Sequence, residues 1–141
     1  MATVDKYLSQ LTFNVVAATA ISEGDLVGLD TAGTLRLADA DGVGDATSSF
    51  RALGVAVRGG ASGATIAVAP IAVVSGLSSL TRGAAVFLSA TAGGYTATQP
   101  TTNTHTVQFV GIALSTSSVA VNIGTALKYV TSAQTVGFLA T

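Results

Sequence analysis

Few residues in this 141-residue chain have the types and spacing that chemistry requires. Gly60-Ala61-Ser62-Gly63-Ala64 sets a serine between glycines, but a nucleophile elbow needs G-x-S-x-G, and Ala64 occupies its last position. The single histidine, His105, lies in the loop-like run Thr102-Asn103-Thr104-His105-Thr106, and no Ser-His-Asp set can be assembled around it. Asp39-Ala40-Asp41-Gly42-Val43-Gly44-Asp45 alternates carboxylates as the opening of a calcium loop does. Val43 stands where a third oxygen ligand belongs, and no glutamate closes the loop, so a solvated turn is the expectation. Gly42-Val43-Gly44 lacks the third glycine of a dinucleotide fingerprint, and no glycine precedes a lysine as a phosphate-binding P-loop demands. Arg36, Arg51, Arg58 and Arg82 are dispersed, and are expected as surface or interface partners for carboxylates, some of them on neighbouring subunits. The expectation is a protein that is not an enzyme and holds no metal or cofactor.

Composition points the same way. Charged residues make up 9% of the chain and hydrophobic residues 49%, with a mean hydropathy of +0.63, whereas an average soluble domain is about 25% charged. A monomer of this composition has little with which to face water, so an oligomer or assembled particle is expected. The most apolar stretch, Ala67 to Val74, is eight residues with Pro70 inside it, against roughly 20 for a membrane span. The N-terminus shows no basic region followed by an apolar core, so neither membrane insertion nor a secretory signal is expected. A net charge of −1 without basic clusters argues against nucleic acid. With no cysteine, there is neither a disulfide framework nor a thiolate site.

The elements that must carry any function read as strands. Short β-branched runs alternate with Gly, Asp, Ser and Thr clusters, at Leu26–Leu29, Thr34–Leu37, Leu53–Val57, Thr65–Val68, Ala72–Ser75, Ala85–Leu88, Thr106–Leu114 and Ser118–Ile123. This is the pattern of an all-β barrel or sandwich, with Pro70 and Pro100 at strand edges or in loops. Long polar connections are expected at Asp39–Ser49 and Thr91–Thr106.

The runs also repeat. Ile21-Ser22-Glu23-Gly24-Asp25-Leu26-Val27-Gly28-Leu29 returns in degenerate form 59 residues later as Leu80-Thr81-Arg82-Gly83-Ala84-Ala85-Val86-Phe87-Leu88. Leu53-Gly54-Val55-Ala56 returns 57 residues later as Val110-Gly111-Ile112-Ala113, and the copies close on the pairs Ile66/Val68 and Val119/Val121. The predicted organisation is an N-terminal arm over 1–20 ending in a strand, a β domain over 21–124 with repeats at about 21–76 and 80–124, and a C-terminal tail over 125–141. Tyr7, Phe13, Tyr129 and Phe138 place half of the eight aromatic residues outside the duplicated part, where large apolar side chains need a partner surface.

The opening Ile21 to Val27, the two Gly-centred signatures and the closing Val119-Ala120-Val121 together resemble the capsid cement, or head decoration, proteins of tailed bacteriophages over about 21–124. The resemblance implies a compact β-barrel or β-tulip fold. It also implies a homotrimer made in the host cytoplasm and seated on the outer surface of the virion capsid. There it would bridge major capsid protein subunits at threefold and quasi-threefold positions of an expanded head, beside neighbouring decoration subunits. On this reading Tyr7, Leu8, Leu11 and Phe13 form an arm that binds the capsid or a neighbour, and Tyr129 and Phe138 make tail contacts. A β-rich virion fibre or carbohydrate-binding module is the alternative; the absence of Trp, and aromatics at 6%, leave it without the usual sugar-stacking platform.

Overall fold

The computed structural model describes residues 2–7, 9–41, 51–102, 105–124 and 126–128. In chain order they form β1 (Thr3–Tyr7), a 3₁₀ turn (Ser9–Leu11), β2 (Phe13–Val16), β3 (Leu26–Leu29), β4 (Leu35–Leu37), β5 (Gly54–Ala56) and β6 (Thr65–Ala69). These are followed by β7 (Ile71–Ser75), β8 (Ala85–Leu88), β9 (Tyr95–Thr96), β10 (Thr106–Ala113), β11 (Val119–Asn122) and β12 (Ala126–Lys128). The chain is all-β, as its alternation predicts.

Two antiparallel sheets hold the strands. Sheet I runs β2-β6-β5-β3-β4, and sheet II runs β1-β7-β11-β10-β8-β9, with β12 continuing along the N-terminal half of β10. From β2 and from β7 onward the orders are the same, so the two sheets repeat one topology. The registers agree as well. Leu26 faces Val55 and Val27 faces Gly54 in sheet I, while Ala85 faces Ile112 and Val86 faces Gly111 in sheet II. The turns repeat too: the Gly24 and Gly83 N–H groups donate to the Ala56 and Ala113 carbonyls, which the two signatures place at matching positions.

The shared glycines have a steric cause. A Cβ on Gly54 would lie 2.7 Å from the Ala69 carbonyl oxygen, and one on Gly111 would run into the carbonyl oxygen of Ala120. Ala69 and Ala120 are equivalent residues on the next strand, so each copy brings two backbones too close for a side chain at this point. Gly24 and Gly83 instead supply the positive φ, 86° and 81°, of the turn before β3 and β8.

Four expectations need correction. The sheets do not close into a barrel: sheet I curls until Ala17 makes a single parallel bridge to Leu35, and sheet II stays open. The segment 1–20 is not a projecting arm. β1 pairs with β7 and β2 pairs with β6, because edge strands leave backbone N–H and C=O groups that these residues satisfy. The Val4 N–H also donates to Glu23 Oε2 at 2.9 Å, fastening β1 to the turn before β3. The repeats are therefore about 13–69 and 71–122, one strand out of phase with the predicted 21–76 and 80–124. Within them Val68, not Ile66, matches Val119, since each faces the equivalent of Ala56. A two-residue slip preserves strand alternation and leaves no trace in the sequence pattern. The predicted connection Thr91–Thr106 also contains β9, which pairs with β8.

The sheets stack front to back. Val27, Ala56, Ile66 and Val68 lie on the inner face of the sheet I curl with Ala17, Ile21 and Leu35. The other face of sheet I, including Leu26, Val55 and Ala69, packs with Val74, Val86, Leu88, Ala113 and Val119 of sheet II in one cluster. Val86, Ala113 and Val119 are the equivalents of Val27, Ala56 and Val68. One face of the motif thus packs on the opposite face of its copy, and burying each such Val or Leu contributes about 1.5–3 kcal/mol. The outer face of sheet II is left over.

Candidate functional site

The chemistry-bearing residues are not brought together. Ser62 sits in an exposed turn, its Oγ 3.1 Å from the Ala18 carbonyl, to which it donates. Asp39 is buried and its Oδ1 accepts from the Asp41 N–H at 3.2 Å. Burial first, and the neighbouring Asp41 carboxylate second, push the Asp39 carboxyl up to about 6. Among the described residues no group of three His, Asp or Glu side chains is placed to hold a metal; Asp45 lies outside them.

The arginines divide. Arg36 Nε donates to Asp30 Oδ2 at 2.7 Å, so its carboxylate lies in its own hairpin and not on a neighbour. Asp30 also accepts from Thr34 Oγ1 at 2.6 Å and from the backbone N–H groups of Ala32 and Thr34. The Thr34 hydroxyl, then Arg36, hold the Asp30 carboxyl well below the usual carboxylate range. Arg82 Nε donates to the Leu114 carbonyl at 3.2 Å, and Arg51 and Arg58 are exposed.

Two polar contacts stitch the layers. Gln108 of β10 is buried; its Oε1 accepts from the Ala52 N–H at 2.7 Å, and its Nε2 donates to the carbonyls of Ala52 at 2.8 Å and Gly124 at 2.9 Å. Tyr95 of β9 donates its hydroxyl to the Gly24 carbonyl at 2.7 Å beside a cleft of about 300 Å³ that Asp25 also lines. Burial, and then the Asp25 charge, push the Tyr95 phenol up, while burial raises the Asp25 carboxyl. These groups are engaged in holding the turn of one copy against the other.

The surface suited to contact is the outer face of sheet II. Register places Lys6, Val73, Ala120, Ile112 and Ala85 in one row across β1, β7, β11, β10 and β8. Ile71 faces Asn122 in the neighbouring row, where Phe109 faces Phe87, the rings meeting edge to face at 6.4 Å and 84°. Ile71 is 41% exposed, Ile112 40% and Phe109 36%. Apart from Lys6 and Asn122 the two rows are apolar. A groove of about 530 Å³ on this face is lined by Asp5, Lys6 and Tyr7 of β1 and by Ile71, Val73 and Ala120.

Of the residues expected in a binding arm, Tyr7 (41% exposed) borders this groove and Leu11 (48% exposed) is on the surface of the 3₁₀ turn. Phe13 is a correction: it packs against the inner cluster of sheet I, because β2 closes that sheet. Leu8, Tyr129 and Phe138 lie outside the described residues. Ile71, Val73, Phe109, Ile112 and Ala120 were not anticipated. Their signal was that β7 and β10 are apolar in both phases of the alternation, as strands covered on two faces are. Comparison with protein-family models and with curated proteins finds no match for this chain.

Proposed function

We propose that this chain is a capsid decoration, or cement, protein: a structural subunit that binds the outer surface of an expanded phage head as a homotrimer and bridges major capsid subunits at threefold and quasi-threefold positions. The observation that carries the reading is the apolar outer face of sheet II, on which Ile71, Phe109 and Ile112 stand exposed beside Val73 and Ala120. A rigid two-layer stack with one such face acts by binding free energy. Each contact with an assembled shell stabilises the assembled state, and several contacts per trimer multiply the effect. Apolar burial contributes about 25 cal/mol per Å² before the costs of association, so the face and its rim together can oppose the outward push of packaged DNA without chemistry.

The test is to mix the purified full chain with undecorated expanded capsids, image the particles and follow their thermal disruption. The expected result is density over threefold positions and disruption at a higher temperature. Bare shells with unchanged disruption would overturn the reading. Because β1 and β2 are integral strands, contacts are best probed by Tyr7→Ser and Leu11→Ser, not by deleting the N-terminus. Each substitution is expected to weaken attachment while leaving the fold unchanged.

A further inference from the structure

The turns before β3 and before β8 are one structure made from different residues. Asp25 and Ala84 each donate their N–H three residues back, to the Ser22 and Thr81 carbonyls at 3.1 and 3.0 Å. Their carbonyls accept in turn from the Ala56 and Ala113 N–H groups at 2.9 and 3.0 Å. The turn therefore forms without a carboxylate, and Asp25 carries one that the backbone does not require. Register supplies a second such match. Leu88 faces Tyr95 in sheet II where Leu29 faces Leu35 in sheet I, and Leu35 is fully buried. Both departures, a carboxylate in place of a methyl group and a phenol in place of an aliphatic chain, meet in the cleft of about 300 Å³ between the turn of one sheet and the hairpin of the other.

The rest of the lining is mainly glycine backbone, at Gly24, Gly76, Gly93 and Gly94, with Leu77 and Ser78. It carries the charge of Asp25 and no Lys, Arg or His. Asp25 Oδ2 accepts from the Ser22 N–H at 2.8 Å, while Oδ1 lies 3.3 Å from where a Cβ on Gly93 would sit, space that the glycine leaves clear. Burial raises the Asp25 carboxyl, as happens to an anion with no cation beside it. We propose that this cleft binds a primary ammonium group on a short alkyl stem. Asp25 sets the sign of the ligand. The Tyr95 hydroxyl is already given to the Gly24 carbonyl at 2.7 Å, so what Tyr95 offers is its ring, which attracts a cation. A guanidinium fits less well, because its planar fork takes both oxygens of a carboxylate and Ser22 holds one of them. A compact ammonium has three donors, for which Oδ1, the Ser78 hydroxyl and the second lone pairs of the glycine carbonyls are acceptors. A metal ion wants several oxygen side chains, and no group of three is present among the described residues. The volume is at the small end of the roughly 300–1,000 Å³ of ligand sites, with Leu77 as an apolar wall for the stem.

The cleft shares no residue with the groove on sheet II, and the proposal does not rest on the capsid reading. Its test is a titration of the full chain, labelled with nitrogen-15, with n-butylammonium chloride and separately with n-butanol, followed by amide NMR shifts. The expected result is saturable shifts at Gly24, Asp25, Gly93 and Tyr95 with the ammonium and none with the alcohol. Asp25→Asn keeps the side chain's size and an acceptor for the Ser22 N–H while removing the charge, and should weaken binding about tenfold or more. Asp25→Ala rebuilds the Ala84 form of the turn and should do the same, so the test does not depend on asparagine being accepted. A third arm uses lysine capped as its acetyl methylamide. Binding as tight as that of n-butylammonium assigns the natural ligand to a lysine side chain of a protein partner, and binding of the free amine alone assigns it to a small amine. Shifts that never saturate, that n-butanol reproduces, or that persist at full affinity in both Asp25 variants would overturn the proposal. None of these outcomes bears on attachment to shells, so the two readings fail separately.

Discussion

Replacing Gln108 by methionine keeps the length and shape of a buried side chain and deletes its polar end. The amide makes three hydrogen bonds, of 2.7, 2.8 and 2.9 Å, to the backbone of Ala52 and Gly124. Gln108 is 2% exposed and Ala52 4%, so water does not readily replace the lost partner. Leaving a buried donor or acceptor unsatisfied costs about 1–3 kcal/mol, and carbonyls tolerate it better than N–H groups. With the Ala52 N–H and C=O stranded and the part-buried Gly124 carbonyl within reach of water, Gln108→Met should cost about 2–4 kcal/mol, a large part of the roughly 5–15 kcal/mol that keeps a domain folded. Urea unfolding followed by circular dichroism measures this, with the midpoint falling at constant slope. Gln108→Glu is the control. It retains the acceptor for the Ala52 N–H but turns a carboxylate oxygen toward two carbonyls, which raises its folded pKa. Its stability should be highest below about pH 4 and should fall as pH rises and the unfolded state ionises first. A Gln108→Met protein within about 1 kcal/mol of the parent would refute the idea that this amide clamps the two layers.

Other substitutions test other parts of the fold. Gly111→Ala drives a Cβ into the Ala120 carbonyl and should cost about 2–4 kcal/mol by forcing β10 from β11, with Gly54→Ala milder, both read by thermal unfolding. Asp39, with its folded carboxyl at about 6, is destabilising once ionised: below about pH 3.8 it has no effect, stability falls between there and pH 6, and higher pH adds nothing. Asp39→Asn should remove that slope, about 1–2 kcal/mol after solvent screening, in melting temperatures taken from pH 3 to 7. Asp30 has the opposite sign, because its carboxyl is held low: its stabilisation is present above the ordinary carboxylate pKa and is lost as pH falls below it. Asp30→Asn should therefore lower the melting temperature at pH 7 and matter progressively less in acid.

What the sequence determined by itself was local. Alternation of β-branched residues between Gly and polar clusters placed β3 at Leu26–Leu29 and β8 at Ala85–Leu88, and came within a residue or two of β5, β10 and β11. The paired glycines announced the duplication, because Gly54 and Gly111 answer the same steric demand in each copy. Alternation says that one face of a strand is apolar, but the partner that covers it lies far along the chain. For that reason the sequence misjudged residues 1–20, whose strands find partners at β7 and β6, and it placed the repeat boundary one strand late. Only the tertiary structure decided that the two copies stack front to back. That choice buries Leu26 and Val55 under a second layer while leaving Ile112, on the same motif, open at the surface.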